Sequence, residues 1–216
     1  MLPTIFIIGK SGAGKDFYCK MVQNTSRVLP VIQYTTRPIR EDEINGKDVN
    51  CVTKEEFDKL FEEKKIFEYR SYDVNYQGKV DTWYYGTPAL DGDIDGDTEG
   101  IYVLAATVDI VKAACQTYKD PDMIEVIFID TSDDVRRLRA STIRKSFDES
   151  EWDRRIIADA KDYSDARLKT IEELTGKKVH HFDNNRDEAK DDFFDFYAAI
   201  AGKLISKYKE RKTKCQ

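Results

Sequence analysis

Five short apolar runs punctuate the chain, and between them the apolar positions recur every three or four residues. The runs are "TIFII" (Thr4–Ile8), "VLPVIQYT" (Val28–Thr35), "IYVLAAT" (Ile101–Thr107), "MIEVIFID" (Met123–Asp130) and "KVHHF" (Lys178–Phe182). Each is of strand length, and the first shows no polar alternation, so it reads as a strand buried on both faces. Helical patterns follow them: "KDFYCKMV" after the first, "VDIVKAACQTY" after the third, a stretch from Ser132 after the fourth, and "RDEAKDDFFDFYAAIAGKLISKY" after the fifth. Strands alternating with helices predict an α/β fold of three layers, with a five-stranded parallel core sheet.

Residues 36–90 break that rhythm. "VNCV" is a short strand, "TKEEFDKLFEEKK" a helix opened by a capping box in which Thr53 and Glu56 satisfy each other, and "IFEYRSYDVNYQGKVDTWYYG" a Tyr-rich antiparallel hairpin region. A lobe inserted after the second strand is the expectation. A second departure is the Arg-rich helical stretch from Arg136 to Arg155.

The 216 residues suffice for one sizeable core with a small appended lobe. A formal charge of −6 argues against a non-specific nucleic-acid or membrane-surface binder. Cys19, Cys51, Cys115 and Cys215 form no C-x-x-C pair, which speaks against a metal cage or a disulfide framework. No apolar run approaches a membrane span and the first one is too short for a signal peptide, so the expected compartment is the cytoplasm.

"GKSGAGKD" (Gly9–Asp16) follows the first strand and opens a helix. Gly9, Gly12 and Gly14 let backbone N–H groups turn around anionic oxygens, and Lys15 would reach the β- and γ-phosphates. With Ser11 and Ala13 these residues are the expected site for the phosphates of a nucleotide. The hydroxyl usual after the lysine is replaced by Asp16. A carboxylate there either caps the helix or touches Mg²⁺, directly or through water.

"YTTRPIREDEINGKDVNCVTKEEF" (Tyr34–Phe57), "IFEYRSY" and "WYYGT" carry a resemblance to the guanylate kinase family. They contain its Thr-Thr-Arg-Pro run, a second Arg, a Glu and an Asn-Gly, then its base-reading Glu and Tyr-Tyr-Gly segment. The Gly-Lys-Asp loop resembles a bacterial branch of such proteins. The resemblance runs from the phosphate loop to "HHFDNNRDEA" and implies a phosphate-loop kinase with core 1–35, 91–135 and 156–216, a monophosphate-binding lobe 36–90 and a helical lid 136–155. It implies Mg²⁺, with ATP as co-substrate, and transfer to a nucleoside monophosphate, GMP or dGMP. Arg37 and Arg40 would hold the acceptor phosphate, with Tyr85 adding a phenolic bond. Glu68 would accept both N1–H and N2–H of guanine. Gln33, Thr35, Thr87 and Thr107 complete the expected acceptor site. Arg139, Arg144 and Arg155, with Arg136 in reserve, would neutralise the migrating phosphoryl group. Asn184 and Asn185 would help hold adenine. Small-molecule nucleotides are the expected partners, with no nucleic acid or membrane, and a monomer or homodimer is expected.

Three features depart from that family. Val49 stands where a Tyr is usual, Gln33 where a Ser helps read the base, and Ala105 and Thr107 close a strand that usually ends in acids. Two alternatives therefore stay open: a kinase of the same fold with another phosphate acceptor, such as a sugar phosphate, or a non-catalytic binding module. "DGDIDGDTEG" resembles the start of a calcium loop, but its twelfth position is Tyr102 and a strand follows. A surface acidic loop is expected, and His180–His181 reads as structural.

Overall fold

The computed structural model describes residues 2–25, 28–41, 43–76, 78–90, 100–143, 147–186 and 188–214. The chain divides into two compact units, Met1–Leu29 with Asp97–Gln216, and Pro30–Gly96.

The first unit is built on a five-stranded parallel sheet. β1 (Thr4–Ile8) lies at its centre, every residue buried. β2 (Val28–Pro30) and, in the second unit, β3 (Tyr34–Thr35) and β4 (Asn50–Cys51) come next in the chain. β5 (Ile66–Tyr76) and β6 (Lys79–Pro88) also belong to the second unit, and β7 (Ile101–Ala105), β8 (Ile124–Asp130) and β9 (His180–Asp183) to the first. The large sheet has the order β2-β7-β1-β8-β9, with β1 pairing β7 on one side and β8 on the other. A strand flanked on both edges and covered on both faces has no solvent side, which is why "TIFII" shows no alternation.

α1 (Lys15–Gln23) leaves the loop after β1. α2 (Lys54–Glu62) lies in the second unit, and α3 (Val108–Tyr118), α4 (Asp133–Ile143), α5 (Glu149–Asp162), α6 (Asp165–Thr175) and α7 (Ala189–Lys214) in the first. Tyr18, Cys19 and Val22 of α1 and Phe193, Tyr197 and Leu204 of α7 close over Ile5, Ile7, Val103, Ile127 and Ile129 in one core. Phe6, Ile8 and Leu104 alternate to the other face and are buried as well. A helix-sheet-helix sandwich is the consequence.

The expected second strand, Val28–Thr35, is two strands. Pro30 has no N–H to extend the ladder; Tyr34 and Thr35 instead pair with Gly86 and Tyr85 of β6 and with β4. The second unit's sheet has the order β4-β3-β6-β5. α2 starts at the expected capping box, Thr53 and Glu56 each accepting the other's backbone N–H. The Arg-rich stretch is not one helix, since α4 ends at Ile143 and α5 begins at Glu149. α6 has no counterpart in the sequence expectations, although Gly176, left-handed at φ 67°, marks its end. The acidic loop falls on residues 91–99, outside the described residues.

Candidate active site

β1 delivers the chain into the loop Gly9–Asp16 at the C-terminal edge of the sheet, where ligands of open α/β sheets bind. Gly9 is needed for closeness: a Cβ there would stand 2.9 Å from the Ile129 carbonyl oxygen. Gly12, at φ 77°, needs the left-handed backbone. The loop is braced from two neighbouring strand ends. The Ala13 carbonyl accepts from Asn184 Nδ2 at 2.8 Å and from Thr131 Oγ1 at 3.2 Å. Asn184 Oδ1 in turn accepts from the Tyr18 hydroxyl at 2.6 Å.

Lys15 Nζ lies across the loop, donating to the carbonyls of Gly9 at 2.7 Å and Lys10 at 3.2 Å. Burial of the ammonium pushes its pKa below the ordinary lysine value, against the pull of Asp16 and Asp159. Beside the loop is a cavity of about 530 Å³, whose walls include Gly12, Lys15, Asp16, Phe17, Arg139 and Asn184. Arg186 and Lys190, which no sequence motif singles out, line it too. Phe17 is 54% exposed. A positive cavity with an aromatic wall at the N-terminus of α1 suits an anionic nucleotide.

The arginines fare differently. Arg139 donates to the Asn184 carbonyl at 3.0 Å and faces the cavity. Arg155 is half-buried on α5. Arg136, the reserve candidate, is 1% exposed and tied to Asp133 and Asp159, so it is corrected to a buried brace. Arg144 lies outside the described residues. Asn184 is buried in the brace just described, and Asn185 is held by Ser132 N–H and Asp183. Thr107 caps α3 through the Ile110 N–H. Among the described residues no three His, Cys, Asp or Glu side chains gather as metal ligands. Asp16 is an exposed carboxylate in the first turn of α1, on the cavity wall.

In the second unit, β5–β6 pairing sets Glu68 opposite Thr87, Arg70 opposite Tyr85 and Tyr72 opposite Trp83, all on one face. Glu68 accepts from Thr87 Oγ1 at 3.1 Å and lies 3.5 Å from Arg70 Nε. Arg70 was not singled out in the sequence; its spacing of two from Glu68 was the available signal. Thr35 is buried and donates to the Tyr84 carbonyl. Gln33 is half-buried, and its backbone carbonyl accepts the Asn50 N–H. Val49 is 7% exposed. Arg37 is 7% exposed, and its fork grips Glu43 at 2.8 and 2.5 Å, so it is already engaged; Arg40 is exposed. The Arg37 bond holds the Glu43 carboxyl down at about 2. Burial raises the Tyr85 phenol above its ordinary value, against Arg37 and Arg40.

Residues 1–83 match the family profile described as Guanylate kinase. The guanylate kinase of Neisseria gonorrhoeae is 31% identical over 144 residues, 62% of each chain. The chain is similar to guanylate kinases over part of its length. It spans less than two thirds of the length of the Neisseria relatives. The guanylate kinase of Rubrobacter xylanophilus is 26% identical over 189 residues, 78% of this chain and 91% of the relative. The crystal structure of guanylate kinase from Anaplasma phagocytophilum shares the fold, with a TM-score of 0.55 at 17% identity over 93% of this chain and 87% of that one. The guanylate kinase resemblance expected from the motifs thus rests on the N-terminal sequence and on the fold.

Proposed function

We propose that the protein is an ATP-dependent nucleoside monophosphate kinase that transfers the γ-phosphoryl group of ATP to GMP or dGMP. The observation that carries this is the loop: Lys15 spans the Gly9 and Lys10 carbonyls at the wall of a cavity that Arg139, Arg186 and Lys190 make positive. Similarity to guanylate kinases supports the acceptor.

The acceptor phosphate is itself a nucleophile, so positioning and charge neutralisation suffice. Lys15 exchanges its two carbonyls for phosphate oxygens and follows the charge through the transition state. Arg139 and Arg155 offset charge on the migrating group. Glu68, with Thr87 and Arg70 fixing its carboxylate, accepts two guanine donors. Arg40 and Tyr85 receive the acceptor phosphate beside the Arg37–Glu43 pair. Asp16 fits the Mg²⁺ that such kinases use, because an exposed carboxylate is a hard oxygen donor. That ion would lower the cost of charge building on the phosphates. Coupled ADP release across a panel of monophosphates tests the proposal: GMP and dGMP should lead it, and turnover with a sugar phosphate but no nucleotide would refute the acceptor.

A further inference from the structure

Asp159 lies far from the loop in sequence and close to it in space. Its Oδ2 accepts the Ser11 N–H at 2.9 Å, and its Oδ1 the Ser11 hydroxyl at 3.2 Å. Arg136 Nη1 donates to the Ser11 carbonyl at 2.7 Å and to Asp159 Oδ2 at 2.9 Å. Arg136 Nη2 donates to Asp133 at 2.6 Å, and its guanidinium lies 5.6 Å from the Trp152 ring centroid. Both arginine and aspartate are buried, at 1% and 6% exposure. One residue of the loop thus has its N–H, C=O and hydroxyl all held by side chains of α4 and α5.

A trans peptide points its N–H and C=O in opposite directions. Asp159 draws the Ser11 N–H outward, which turns the Lys10 carbonyl inward; there it accepts from Lys15 Nζ and from the Ala13 N–H. Arg136 draws the Ser11 carbonyl outward, which turns the Gly12 N–H of the same peptide toward the loop interior, and Gly12 lines the cavity. A Cβ on Gly12 would come 3.3 Å from the Arg136 carbonyl oxygen, so α4 packs directly on this turn. Two consecutive peptides therefore have their orientation set from outside the loop.

We infer that Asp159 and Arg136 are positioning residues that pre-set the phosphate loop, holding the Gly12 N–H inward and Lys15 in register before any nucleotide arrives. This rests on the reading of the loop as a phosphate site. Asp159 also sits one helical turn after Arg155 on α5, the same helix face. Seating Asp159 on the loop thereby fixes the face that carries Arg155.

The test uses the full chain and pyrophosphate, a probe of the loop that has no base. Two variants are compared with the wild type. Asp159→Asn removes the charge, and Arg136→Lys keeps a cation but lacks the fork that reaches Ser11 and both carboxylates. Calorimetric titration should show pyrophosphate binding weakened roughly tenfold in each, the scale of one hydrogen bond to a charged group. Amide NMR of the ligand-free variants should show shifts concentrated at residues 10–13. Unchanged pyrophosphate affinity in both variants overturns the inference. So do shifts spread through β1 and β8, which would make the pair a packing element. A wild type that binds no pyrophosphate overturns the phosphate-loop reading itself, and the inference with it.

Discussion

Lys15→Met separates the role of the ammonium from that of its stem. The methionine fills the channel that the lysine stem follows, and loses only the bonds to Gly9 and Lys10 carbonyls. Those bonds hold a charge that burial already disfavours, so the resting fold should change little, and by less than about 1 kcal/mol. Catalysis is another matter. A positioned charge that meets the transferring phosphate is worth about 3 kcal/mol in the transition state, and each 1.36 kcal/mol is about tenfold. The expected fall in kcat is therefore about a hundredfold or more. Coupled ADP release measures it, and a urea melt beside it checks the fold. Turnover within a factor of about three of wild type, from a folded variant, would refute the reasoning that places Lys15 on the phosphates.

Glu68→Gln turns an NH₂ toward one guanine donor, and kcat/KM for GMP should fall by roughly ten- to a hundredfold while KM for ATP holds; equal GMP affinity by titration counts against Glu68 as the reader. Asp16→Asn should raise the Mg²⁺ concentration for half-maximal rate, and superimposable Mg²⁺ curves would leave Asp16 a helix cap alone. Glu43 has its carboxyl depressed from 4.5 to about 2, so its contribution to stability is present above the ordinary carboxylate range and is lost as pH falls from 4.5 through 2. Urea melts should show Glu43→Gln flatter than wild type over that window, by up to about 3 kcal/mol before solvent screening. Arg40→Ala should raise acceptor KM with little loss of stability, whereas Arg37→Ala removes the fork that grips Glu43, leaves that carboxylate only its weaker contacts with Arg40, and should lower stability by about 3 kcal/mol in the same melts.

Local signals carried most of the fold. β1 and α3 have the expected ends at Thr4, Val108 and Tyr118, because an all-apolar run and a capped helix are written in neighbouring residues. Val28–Thr35 misled because continuity of apolar residues says nothing of which sheet each half joins; Pro30 was the signal, and its meaning depended on distant β6. The loop was legible for the same reason as β1, since all its parts are contiguous. What braces it was not. Asp159 is 148 residues from Ser11, and nothing in "IIADAKDY" distinguishes that carboxylate from the half-buried Asp162. Arg136 looked like one of a run of similar lid arginines, and only burial between two carboxylates sets it apart from Arg137, which pairs with Glu149 at the surface. Arg37 shows the complementary limit: motif matching located it, but its engagement with Glu43 is a property of the folded segment.

On the proposed reading of the loop as a phosphate site, its carboxylate is tolerable for a reason that the loop alone does not display. At about 4 Å and an effective dielectric of 20, one carboxylate repels each unit of phosphate charge by about 4 kcal/mol. The same cavity wall carries Lys15, Arg139, Arg186 and Lys190, four cations against Asp16. Arg186 is partly spent on Asp192, an exposed pair at 2.9 Å that is worth little and is easily exchanged for a phosphate. The field at a triphosphate therefore stays attractive with Asp16 ionised, and Asp16 is also exposed enough for water to screen it. It follows that nucleotide affinity without metal is a weak discriminator between capping and metal binding, because the surrounding cations mask most of the repulsion. The dependence of rate on free Mg²⁺ is the sharp one: Asp16→Asn leaves those cations in place and removes the carboxylate charge and one of its two oxygens, so a higher Mg²⁺ requirement in the variant is the mark of a carboxylate that helps hold the ion.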